Sequence, residues 1–151
     1  MDSMMPLQPA DFIKHHQFGV LSTFSLSHPG YPFGSLVPYL LAEDGSIHIY
    51  ISALAEHTKN IAANNKVALT ISDADNSTNP AAEARITCLA DITLSQQQEA
   101  LQKLYQMKFS HAEQVLQLPG FQFYQLNLTA IRLIGGFGDI RWLSPDKLDL
   151  T

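Results

Sequence analysis

Cysteine, charge and basic clusters are all scarce in this chain. Cys88 is the only cysteine among 151 residues, which excludes an intrachain disulfide and a cysteine-built zinc site. Charged residues make up 15%, against roughly 25% in ordinary globular domains. Nine Lys and Arg stand against 14 Asp and Glu, a formal net charge of −5. No basic run is available to neutralise phosphates, so nucleic acid is not the expected partner. Apolar runs are short and broken by polar residues or proline, so no spanning segment and no membrane partner are expected. The opening MDSMMPLQPADFIKHH lacks the apolar block of a secretory leader. The glycosylation-like triplets at Asn76 and Asn127 carry no weight without such a route. A cytoplasmic location is the expectation.

What is present suffices for a packed core. Hydrophobic residues reach 46%, which excludes a disordered chain. The length fits one domain over residues 1–151, with no repeat and no dividing linker. Asp73–Ala82 reads as one polar surface loop. With so few charges, part of the surface is expected to hide against another subunit.

Most of the chain reads as strands. Phe18–Ser25, Phe33–Leu41 and Ile47–Ser52 follow one another, separated by the turn signals of Ser27–Pro32 and Glu43–Ser46. Ile47, Ile49 and Ile51 alternate against His48, Tyr50 and Ser52, so the latter three are assigned to the opposite face. Val67, Leu69 and Ile71 repeat this alternation, as do Ile86, Cys88, Ala90 and Ile92. Phe121–Leu128 and Ala130–Phe137 read as two further strands, with Ile140–Leu143 as an extension. Helices are few: Ala10–His16, Leu54–Asn64 with Leu54 and Ile61 on one face, and two helices opened by capping patterns at Ser95/Gln98 and Ser110/Glu113. Short strands with inserted helices predict a mainly β, antiparallel barrel.

The nucleophile elbow, the P-loop, the H-E-x-x-H motif and the Rossmann glycines are all missing. GGFG at Gly135–Gly138 falls inside a strand pattern and reads as a bulge or a close backbone approach to a ligand. Six histidines offer no metal-binding spacing, and no catalytic acid or base stands out. Two features remain. The block YISALAEHTKN, Tyr50–Asn60, passes from a strand into a helix start, where free amides, Ser52, Thr58 and Lys59 suit a phosphate; it reads equally as an ordinary junction with a solvated lysine. Pro38 lies inside an apolar strand and predicts an edge or irregular stretch, open to a flat ligand or serving as edge protection.

Together GVLST (Gly19–Thr23), GSLVPY (Gly34–Tyr39), ISALAEHTKN (Ile51–Asn60), ARIT (Ala84–Thr87) and LIGGFGDIRWL (Leu133–Leu143) resemble the FMN-binding split-barrel family related to pyridoxamine 5′-phosphate oxidase. The likeness covers about residues 10–144 and is greatest to the haem-iron-utilisation branch. It implies a homodimeric split β-barrel, with FMN at each end of the dimer interface and contacted by both subunits. By position, Ser35, Leu36, Val37, Pro38 and Tyr39 match the strand along the isoalloxazine edge. Tyr50, Ile51 and Ser52 match the next strand of the pocket; His57, Thr58 and Lys59 match the phosphate-binding helix start; Arg85 matches the strand completing the site. The resemblance implies an FMN-dependent oxidoreductase acting on a small molecule of unassigned identity, with haem binding or degradation, or flavin binding without turnover, as the alternatives. Two departures stand out. The C-terminal arginine and histidine that hold pyridoxal phosphate in the oxidase are missing, and no histidine follows His111 to serve as the C-terminal iron ligand of the haem-degrading relatives.

Overall fold

The computed structural model describes residues 7–73, 84–135 and 138–151. Its elements run α1 (Pro9–Lys14), β1 (Phe18–Phe24), β2 (Pro32–Leu41), β3 (Ile47–Ser52), α2 (Glu56–Ala63), β4 (Lys66–Ser72), β5 (Arg85–Leu94), α3 (Gln98–Lys108), α4 (Ala112–Leu116), β6 (Phe121–Ile134) and β7 (Ile140–Leu143), then a 3-10 turn at Pro145–Lys147. The strands pair in the order β3-β2-β1-β4-β5-β6-β7, and β3 also pairs with β6. Six antiparallel strands therefore close a barrel, with β7 added along the far half of β6. Most of the proposed loop Asp73–Ala82, with Asn76, Gly136 and Phe137, lies outside the described residues.

Strand alternation fills the barrel. Leu21, Val37, Tyr39, Ile49, Leu69, Ile71, Ile86, Cys88, Ile131 and Leu133 join one buried cluster. Phe12 and Ile13 of α1 belong to it too, and the Tyr39 hydroxyl donates to Ile13 O at 2.5 Å. On α2 the buried Asn60 donates through Nδ2 to Thr23 Oγ1 (3.0 Å) and accepts from Leu26 N (2.9 Å). These two bonds fasten α2 to the end of β1.

A second cluster lies outside the barrel wall. Leu40, Tyr50 and Phe123 pack there against Leu101, Tyr105 and Phe109 of the α3–α4 segment. His48 and Tyr50, read as the opposite face of β3, are thus buried as fully as the isoleucines. Alternation reveals two faces, but it does not reveal whether helices cover the second one.

Several sequence-derived elements are corrected. The segments Phe121–Leu128 and Ala130–Phe137 form one strand, β6, over Phe121–Ile134. Leu89 pairs with Ala130 and Ala90 with Leu128, leaving Thr129 as an extra residue. That bulge moves the inward positions from Leu126 to Ile131 and Leu133, a change of phase that reads as a break in the sequence. Ile140–Leu143 pairs back on β6 as a separate strand. Neither capping pattern forms a side-chain cap. Ser95 Oγ is engaged by His48 Nδ1 at 2.7 Å, and Gln98 bonds the backbone N and O of Phe123 at 3.0 and 2.9 Å. The second helix begins at Glu56, and Leu54 is 84% exposed.

Gly19 of β1 sits tightly against β4. A Cβ there would lie 2.8 Å from Leu69 Cδ1 and 3.0 Å from Thr70 O, whereas one at Gly34 would meet only Val20 Cγ1 at 3.5 Å. Gly19→Ala is expected to cost about 1–3 kcal/mol, and Gly34→Ala well under half of that. Urea unfolding of both variants checks the contrast.

Candidate functional site

The interruption predicted at Pro38 occurs, and its cause is visible. Tyr39 N donates to Gln17 O at 3.0 Å. Successive amides of an antiparallel strand face opposite sides, so position 38 faces β3 and, being proline, has no donor. Pairing of β2 with β3 covers Tyr39, Leu40 and Leu41 alone, while β1 pairs along Pro32–Pro38. Beyond Pro38 the β3-facing edge of β2 has no strand partner among the described residues.

The candidate residues on this edge divide by side. Val37 and Tyr39 point into the core, and Leu36 points outward at 74% exposure. Ile51 is core, and Tyr50 stacks among Tyr105, Phe121 and Phe123. At the β3–α2 junction Ser52 Oγ accepts from Leu54 N (3.1 Å), and Ser52 O accepts the Thr58 hydroxyl (2.5 Å). The Thr58 hydroxyl hydrogen is therefore spent within the junction, whereas Ser52 Oγ, an acceptor there, keeps its own hydrogen to give. Lys59 is exposed. His57 Nε2 is the one buried side-chain nitrogen or oxygen without a hydrogen-bond partner among the described residues, and burial lowers the His57 pKa. Glu56 supplies an acidic group to the first turn of α2, and its carboxylate accepts from Ser27 Oγ at 2.7 Å. The helix start thus already holds an anion, so a phosphate there would rely on Lys59, His57 and the Ser52 hydroxyl against Glu56.

Arg85 is not brought to this junction. It pairs with Ser72 and Ile134, level with Phe18, whereas α2 bonds Thr23, five residues along β1 or about 17 Å.

Sequence reasoning missed the outer face of the sheet. Leu36, Val20, Thr70, Thr87, Arg132 and Trp142 form one row across six strands. Its ends are apolar and its centre is polar. Val20 is 43% and Trp142 60% exposed, Thr70 Oγ1 lies 3.0 Å from Thr87 Oγ1, and the Arg132 guanidinium stands 5.2 Å from the Trp142 ring centroid. In the next rows, Phe24, Pro32, Ala68 and Leu89 line a concavity of about 340 Å³, rimmed by the Lys66–Asp91 ion pair (2.6 Å). Leucine and phenylalanine at outward positions of the predicted strands were the available signal.

The histidines differ in what they leave free. In His48 both ring nitrogens are engaged, Nε2 with Ser46 Oγ and Nδ1 with Ser95 Oγ, each at 2.7 Å. Ser46 donates to Asp44 Oδ1 (2.6 Å), so Ser46 Oγ accepts from His48 Nε2–H, and burial favours the neutral ring. His111 Nε2 meets the Tyr105 hydroxyl at 2.9 Å, and His16 Nε2 meets Asp73. His28 lies in a hollow with Tyr31, Pro32 and Phe33 on the β1–β2 hairpin, sharing Pro32 with the outer concavity. Among the described residues no three His, Cys, Asp or Glu gather as a metal site. Burial pushes the Cys88 thiol up to about 12, so it is an inert core residue.

Residues 10–148 match the family model for the CREG beta-barrel. The chain belongs to the CREG beta-barrel family. It is 36% identical over 121 residues to the non-canonical haem oxygenase HOZ, chloroplastic, of Arabidopsis thaliana, a match covering 78% of this chain and 36% of that protein. The CREG barrel here thus spans about a third of the length of that curated relative. A haem-binding protein from Mycobacterium smegmatis superposes with a TM-score of 0.78 at 21% identity, over 94% of this chain and 60% of that one. A protein of the pyridoxinephosphate oxidase family from Clostridium acetobutylicum, related to general stress protein 26, gives 0.67 at 13% identity, over 97% and 99%. These likenesses establish the split-barrel fold expected from the sequence. Among the described residues no helix is long and apolar enough to cross a membrane.

The His48 network predicts a pH response. Burial lowers its pKa from 6.5 to about 4, so the unfolded chain takes up this proton first as pH falls. The stability it contributes is complete above about pH 6.5 and is lost progressively toward pH 4, by roughly 2–3 kcal/mol at most. His48→Gln, measured by thermal unfolding between pH 4 and 8, is expected to flatten that part of the profile.

Proposed function

We propose that two copies of this chain pair through the outer face of β1, β2, β4 and β5, and that the pair binds haem at that face as substrate or cargo. The observation that carries the reading is the solvent-facing apolar surface of Val20, Phe24 and Leu36 beside a concavity lined by Ala68 and Leu89. Apolar residues grouped in this way on an isolated subunit mark a contact or ligand surface, and a flat, largely apolar ring suits a hollow closed by a second copy. The 36% identity to a haem oxygenase supports haem as that ring. The protein's part is to hold the macrocycle, orient it and exclude water. His28, beside the concavity, is the histidine we assign to the iron.

The FMN reading is kept on a separate observation, the orphaned His57 Nε2 and the exposed Lys59, both in the first turn of α2. There the edge of β2, Ser35–Pro38, would border the flavin ring, and Lys59 and His57 would hold its phosphate. Arg85 would enter from the partner subunit, since within one chain it stands too far along the sheet. The flavin would supply hydride or electron transfer when bound.

Three measurements test these readings. Light scattering is expected to give twice the chain mass of 16.7 kDa, and Leu36→Glu, which buries an unpaired carboxylate only in the dimer, to weaken pairing about a hundredfold or more. Monomers of the unaltered protein at micromolar concentration would sink the shared face. Haemin titration is expected to produce a protein-bound Soret band, and His28→Ala to weaken binding about tenfold and alter that band. No Soret change on addition of haemin rejects haem. For flavin, Lys59→Ala is expected to weaken FMN roughly ten- to a hundredfold while leaving riboflavin unchanged; equal losses for both flavins would make Lys59 structural.

A further inference from the structure

At the end of β1 and β2 opposite their hairpin, a cleft of about 530 Å³ separates the end of α1 from the last turns of α3. Lys14, His15, His16 and Lys108 line it, and Leu104 and Met107 supply an apolar wall. None of its lining residues is acidic, although acids outnumber bases 14 to 9 in the whole chain. Two of the four basic groups are answered from outside the lining. His16 pairs with Asp73, and Lys14 reaches Thr151 O at 3.3 Å and acts electrostatically on Asp149.

Among the described residues Lys108 has no carboxylate partner. Its half-buried ammonium donates to Tyr39 O (2.8 Å) and His16 O (3.2 Å) and lies 4.5 Å from the Tyr39 ring centroid. Two of its three N–H groups are thereby used, and one is left. Taking an ammonium partly out of water without a counter-charge is unfavourable, and burial indeed holds the Lys108 pKa down at about 8. A carboxylate in the cleft would restore the missing charge through a charge-assisted hydrogen bond. Met107, 83% exposed at the lip, gives the rest of such a molecule an adaptable apolar surface.

We propose that this cleft binds a molecule with an apolar body and a carboxylate, the carboxylate meeting Lys108 Nζ and the body lying along Leu104 and Met107. This site is separate from the outer face of the sheet and stands or falls independently of haem binding there.

Octanoate and its neutral counterpart octanol are the probes, followed by backbone amide NMR on the full chain. Octanoate is expected to shift resonances of residues 14–17, 40–41 and 104–108, and octanol to bind at least tenfold more weakly. Lys108→Gln should weaken octanoate about tenfold or more, and Lys108→Arg should retain it within about threefold. Because Lys108 also ties α3 to β2, the exposed Lys14→Gln serves as a variant that leaves the fold intact, with a loss of about threefold expected. Equal binding of the two probes, shifts confined to the β1–β2 outer face, or unchanged affinity in both the Gln variants would overturn the proposal. Displacement of octanoate by haemin would identify the carboxylate as that of a tetrapyrrole, whereas additive binding would identify a fatty-acid-like ligand.

Discussion

The pairing of β2 with β3 stops where Pro38 has no N–H to give, and much of the architecture follows from that missing donor. Below Tyr39 the two strands part, and β3 is held chiefly by its pairing with β6, which closes the barrel. The released part of β2 stays a strand because β1 holds it from the other side. Leu36 then becomes an outward apolar residue on an open edge. Asn60, bonded to both Thr23 and Leu26, anchors α2 beside that edge.

A second organising fact is that one wall serves two interiors. β3 and the first half of β6 give Ile49, Ile51 and Leu126 to the barrel and Tyr50 and Phe123 to the helical layer. The isoleucines suit the crowded barrel interior, where β-branched side chains pack well on pleated strands. The aromatic residues interlock with Tyr105 and Phe109 of the helical segment. The bulge at Thr129 then changes the phase of β6, so that Ile131 and Leu133 still point inward where β7 replaces β3 as neighbour.

Much of this was legible from residues alone. Ile47–Ser52 appears with the bounds that its alternation gives, and Pro38 marked an interruption because a missing donor is a local property. The helix start near Leu54 was placed two residues early, since Ser52 turns the chain through its own side chain before α2 begins. The capping pattern at Ser95 misled because a buried histidine forty-seven positions away claims the hydroxyl, and no local rule anticipates such a contact. For the candidate site, the resemblance gathered residues that the barrel distributes: Ser52, His57 and Lys59 share the β3–α2 junction because they are close in sequence, while Arg85 sits farther along the sheet. The outer face was missed because a solvent-facing leucine looks like any strand residue until register aligns it with Val20 and Trp142.

The separation of the two clusters also sets how the molecule loosens. The α3–α4 layer is fastened by side chains, chiefly Leu101, Tyr105, the Gln98 bonds to Phe123 and the Lys108 tie to Tyr39. The barrel beneath is fastened by continuous backbone ladders. Detaching the layer breaks no inter-strand pairing, so it constitutes a partial unfolding unit with an opening free energy below that of the whole. In hydrogen exchange such a unit separates the amides of α3 from those of β4 and β5. The chain is thereby a closed β-cage carrying a helical flap, and the same lysine that lacks a counter-charge among the described residues is one of the pins of that flap.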